Sequence, residues 1–108
     1  MNELITSYNN YILKLSKGCL VISELLREEK YVQALENIAN FSEGINWIIQ
    51  VRKELKNEIG IFQLNLKEIE GFLNEINEGL EIQDYVLVAD LFEYELAEYF
   101  KNPALIEG

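Results

Sequence analysis

Ile5, Tyr8, Ile12, Leu15, Cys19, Ile22 and Leu26 step by three and four without a miss. That spacing is the period of an α-helix with one buried stripe, packed nearly parallel or antiparallel to its neighbours. Leu13 and Leu20 widen the stripe, as expected of a helix that meets two others. Gly18 interrupts it at a cost of about 1 kcal/mol in helix propensity, and leaves room for close helix approach. Cys19 falls on the stripe and reads as a small core residue; as a lone cysteine it has no intramolecular disulfide partner.

The same period returns twice more. Tyr31, Ala34, Leu35, Ile38, Phe41, Ile45, Ile49 and Arg52 share a face, continued by Leu55, with Trp47 and Val51 directed away and Gly60 as a C-terminal stop. Phe62, Leu66, Ile69, Leu73, Ile76 and Leu80 form a third seam, with Gln63 or Asn65 near its start and Gly79 near its end. The charged segment Arg27–Lys30 has the length of a tight antiparallel connection. No alternation of period two persists, and the lone proline, Pro103, closes the fourth helical stretch. The expectation is all-α: one domain over residues 1–108, an antiparallel up-down-up-down four-helix bundle.

At an offset of half the 108-residue chain the two halves align as two similar helical hairpins. Ile5 meets Ile59, Ile12 meets Leu66, Ile22 meets Ile76, Leu26 meets Leu80, and Tyr31-Val32 meets Tyr85-Val86. The fourth stretch, Asp84–Phe100, starts at a good N-cap residue and carries two apolar faces. Tyr85, Val88, Ala89, Phe92, Leu96 and Tyr99 form the core stripe. Leu87, Leu91 and Tyr94 form a second stripe, where the aligned positions of the second helix are Gln33, Asn37 and Asn40. The expectation is an interface at Leu87, Leu91 and Tyr94, rimmed by Asp90, Glu93, Glu95 and Glu98.

The balance of 49 % hydrophobic and 26 % charged residues is that of a folded chain. A net charge of −10 disfavours nucleic acid and anionic membrane surfaces as partners. No apolar run approaches the roughly 20 residues of a spanning helix, and the start, MNELITSYNN, does not read as a signal peptide. The expected location is cytoplasmic.

Histidine is absent, which removes Ser-His-Asp and Cys-His catalysis and the Glu-x-x-His di-iron motif. No glycine-rich phosphate loop is present. Neither a catalytic residue nor a cofactor is expected. Glu75, Glu78, Glu81 and Asp84 recur every third residue and are the candidates for a metal. Their pattern resembles the paired carboxylates of all-α nucleotide pyrophosphohydrolases of the MazG type, which implies a Mg²⁺-dependent hydrolase as the alternative function. Here the two pairs are consecutive rather than on separate helices.

The run Asp84-Tyr85-Val86-Leu87-Val88-Ala89-Asp90-Leu91-Phe92-Glu93-Tyr94-Glu95-Leu96 resembles a D-Y-x-L-x-A-D-L-x-E-Y-E-L motif. That motif closes small uncharacterised helical proteins of Firmicutes bacteria, and it implies no activity. The overall profile is similar to flagellar and secretion chaperones, small acidic helical proteins that hold partner helices in apolar grooves. The resulting expectation is a non-catalytic interaction module, chaperone-like or adaptor-like. It would be a homodimer, or would have a partner-protein helix in the same groove.

Overall fold

The computed structural model describes residues 2–59 and 66–101, and among these every regular element is helical. α1 (Asn2–Arg27) and α2 (Tyr31–Ile59) form one hairpin; α3 (Leu66–Glu81) and a fourth helix form the other. The fourth helix runs as α4 (Tyr85–Asp90), a π-helical turn over Leu91–Leu96, and a closing α-turn at Ala97–Tyr99. The molecule measures 43 × 22 × 20 Å, as expected for a bundle whose longest helices rise about 1.5 Å per residue. α1 packs against both α2 and the fourth helix, and α3 packs along the fourth helix. This is the all-α bundle that the three-four spacing predicts. The expectations for Gly60, Phe62, Gln63, Asn65 and Pro103, and for the side chains of Leu55 and Leu66, lie outside the described residues.

The α1 seam is buried at all seven positions, Cys19 included. Leu13 and Leu20 do not widen it; both are exposed to solvent. In α2 the stripe holds from Ala34 through Ile38, Phe41 and Ile45, then turns to Ile48 and Val51. Val51, expected to point away, is therefore a core residue, and Leu35, expected on the core face, is largely exposed. Trp47 is half-buried, with its ring edge-on to Tyr11 at 5.8 Å.

The two hairpin turns are built alike. Glu29 and Gln83 both lie in the left-handed region, at φ 61° and 58°. In the first turn Lys30 N–H donates to Leu25 O (2.9 Å) and Glu29 N–H to Leu26 O (3.1 Å). In the second, Asp84 N–H donates to Gly79 O (2.9 Å) and Gln83 N–H to Leu80 O (3.1 Å). Each pair of bonds is a Schellman closure, which satisfies carbonyls the helix end would leave open. Every residue of the second turn lies 54 positions, half the chain, after its counterpart in the first. Tyr31 and Tyr85, each opening the next helix, stack at 4.2 Å between ring centroids. Gly79 is required by contact: a Cβ there would come within 2.7 Å of Val88 Cγ2.

The repeat breaks inside the fourth helix. Val88 and Phe92 occupy the core positions of Ala34 and Ile38, four residues apart in both helices. The next buried residue in α2 is Phe41, three further on, whereas in the fourth helix it is Leu96, four further on. The fourth helix thus carries one extra residue over this stretch. The π turn absorbs it, with Ala97 N–H donating to Phe92 O five residues back. Leu91, Phe92, Leu96 and Ala97 of this stretch are all buried.

Candidate functional site

The face expected to be functional starts from a well-defined N-terminus. Asp84 Oδ1 accepts from Leu87 N–H at 3.1 Å, so the carboxylate caps the helix as its position in the sequence predicts. From there Val86, Asp90 and Tyr94 recur every fourth residue, with Leu87 beside them, and these point outward.

Of the three residues expected on the second apolar stripe, two remain at the surface. Tyr94 is 64 % exposed and Leu87 41 %. Leu91 is 4 % exposed and belongs to the chain's own core, so it does not lie on an exposed stripe. Leu91 keeps ordinary α-helical phase, its N–H donating to Leu87 O and Val88 O. It stands three residues after buried Val88, on a helix that α3 also packs against. α3 lies along this side of the fourth helix, where Leu87 Cδ2 comes within 3.7 Å of the place Gly79 would carry a Cβ. Val86, 68 % exposed, and Ile82, in the turn just before, are apolar side chains at this end that the periodicity did not single out. A helical projection of the sequence could have found Val86, since it stands four residues before Asp90. Beside it a concavity of about 380 Å³ opens between Leu26, Arg27, Tyr31, Tyr85 and Val86.

The acidic rim is engaged from within the chain. Arg27, the last residue of α1, donates Nη2 to Asp90 Oδ1 at 2.8 Å and Nε to Glu93 Oε1 at 3.0 Å. These bonds raise the Arg27 pKa above its ordinary value, the one to Asp90 most. Hydrogen bonding to Glu93 raises the Tyr94 hydroxyl in turn. Glu98 lies 3.7 Å from Lys101 Nζ, an exposed pair of little energetic weight. Arg27 was missed in the sequence because its partners lie more than sixty residues away. No local spacing rule reaches that far.

The candidate metal residues do not converge. Glu75, Glu78, Glu81 and Asp84 are all exposed, Asp84 Oδ1 is committed to its cap, and among the described residues no group of His, Cys, Asp or Glu could hold a metal ion. Among the described residues, too, no helix is long and apolar enough to cross a membrane.

These features define an all-α protein of two like hairpins whose outer surface carries a mixed apolar and acidic helix face. The chain belongs to the family described as a domain of unknown function, DUF8042, whose model matches residues 3–103. No curated protein and no solved structure matches the chain.

Proposed function

We propose that this chain is a non-catalytic helical interaction module that self-associates through the outer face of its fourth helix. The observation that carries the reading is the row Val86, Leu87 and Tyr94, apolar or aromatic and exposed around Asp90 on an otherwise well-packed helix. A symmetric contact between two copies is the simplest cover for such a face. Tyrosine suits its centre, because it brings large contact area at low entropic cost and a hydroxyl that can stay hydrated.

Charge supports a like partner at this place. Two chains of net charge −10 repel each other. Arg27 reduces that repulsion locally, its single positive charge offsetting one of the two negative charges of Asp90 and Glu93, the carboxylates beside Tyr94. An uncompensated acidic rim would instead favour a basic partner.

Light scattering on the purified protein tests the reading. The wild type is expected to be a dimer at tens of micromolar, and Leu87→Lys and Tyr94→Lys monomers with unchanged helicity. Lysine variants that stay dimeric would place the contact elsewhere. A chaperone or adaptor role, in which the face takes an amphipathic helix of another protein, is the second reading and replaces self-association. In that case the wild type would be monomeric, and the same variants would lose the partner.

A further inference from the structure

A groove between α1 and α2 has its floor made by Leu15, Ile22 and Phe41, and its volume is about 240 Å³. Gly18 forms part of its wall, and a Cβ built there meets nothing within 4 Å. Lys14, Asn37 and Asn40 stand around it. Lys14 makes no ion pair among the described residues. Asn37 uses one amide hydrogen on Gln33 O at 2.8 Å and keeps the other.

The second hairpin shows what such a groove accommodates. Half the chain length on from Leu15 and Ile22 are Ile69 and Ile76, equally buried. The position of Gly18 is taken by Phe72, half-buried against the core and edge-on to Tyr99 at 5.5 Å. The position of Asn37 is taken by Leu91, also buried. Where one hairpin carries a ring and a branched side chain packed into the core, the other carries a glycine and an amide beside an open groove. Lys14 also stands where the second hairpin has Glu68, so the open groove carries a cation where the filled one carries an anion.

We infer that the groove around Gly18 binds a small aromatic carboxylate. The ring rests on Leu15, Ile22 and Phe41 in the place that Phe72 fills in the other hairpin. The carboxylate faces Lys14 Nζ and the amide hydrogens of Asn37 and Asn40, where charge-assisted hydrogen bonds are strongest. The volume suits one ring: it exceeds the roughly 150 Å³ in which a buried cavity takes benzene and falls below the roughly 300 Å³ where drug-sized pockets begin. The site is independent of the fourth-helix face, so either can fail without the other.

The test is an amide-resolved NMR titration with 4-hydroxyphenylacetate, and in parallel with the uncharged alcohol 4-hydroxyphenylethanol. Saturable shifts clustered at Gly18, Asn37 and Asn40 are expected in the millimolar range, tighter for the acid. Lys14→Met should weaken the acid about tenfold, the worth of one charge-assisted bond, and leave the alcohol unchanged. Gly18→Phe should abolish both by supplying the ring from within. Gly18→Ala, whose Cβ enters open space, keeps the fold and should weaken both. Absence of saturable shifts with the wild type would overturn the inference, as would a folded Gly18 variant that binds as tightly as wild type.

Discussion

Tyr31 and Tyr85 stack with their rings 4.2 Å apart and 21° from parallel, each at the first position of the second helix of its hairpin. They meet where the two halves of the chain face each other, and the two αL turns that precede them share one hydrogen-bond pattern. The stack couples the hairpins directly. A double-mutant cycle with Tyr31→Leu and Tyr85→Leu, read by urea unfolding, should return a coupling of about 0.5–1.5 kcal/mol. Additive single effects would mean that the rings only cover the core.

The turns make a paired prediction. Glu29 and Gln83 hold a backbone conformation that glycine adopts without strain. Glu29→Gly and Gln83→Gly should each stabilise the protein, by about 0.5–1 kcal/mol and by nearly equal amounts. The turns differ in their caps, since Asp84 accepts from Leu87 N–H and Lys30, its counterpart, has no acceptor to offer. Lys30→Asp should therefore add about 1 kcal/mol. Chemical denaturation of the three variants checks both statements.

Leu91 and Tyr94 separate the core from the surface on one turn of helix. Leu91→Ala should cost about 2–4 kcal/mol, as a large-to-small change in a packed core, and Leu91→Lys should unfold the chain. Tyr94→Lys should leave the melting temperature within a few degrees of wild type. A folded, stable Leu91→Lys protein would show that Leu91 is not a core residue.

Two buried groups set the alkaline limit. Burial pushes the Tyr8 hydroxyl up from 10.0 to about 12, against the opposing pull of Arg52, and the Cys19 thiol up from 9.0 to about 12. Each is neutral when protonated and has its pKa raised in the folded state. The stability they contribute is therefore complete below their ordinary values and is lost as pH rises from there towards 12. The loss is on the order of 1.4 kcal/mol per pH unit for each group. Unfolding free energies measured across this alkaline window should fall, and Tyr8→Phe or Cys19→Ala should flatten the fall. In the native protein at neutral pH, Cys19 should resist thiol reagents.

Periodicity placed the α1 seam residue by residue because only one set of positions in that helix is apolar at every third or fourth step. In α2 it lost the phase after Ile45, where Ile48, Ile49 and Val51 offer two equally apolar continuations. Packing against α1 decides between them. The surplus of apolar residues in the fourth helix was legible, but its geometry was not. A projection of one helix has no place for a neighbour such as α3, so it sent Leu91, three residues after buried Val88, to the outside with Leu87 and Tyr94. One of those three, Leu91, enlarges the core, and Leu87 and Tyr94 remain at the surface with Val86. The clamp of Arg27 on Asp90 and Glu93, which changes the charge of that surface, depends on tertiary structure alone.

Sedimentation equilibrium of the wild-type protein over a series of salt concentrations tests self-association most directly. Apolar contact between two acidic chains predicts a dimer whose population rises with ionic strength, because salt screens the residual repulsion and leaves the apolar contact in place. A strict monomer at every salt concentration, at tens of micromolar protein, would contradict the account.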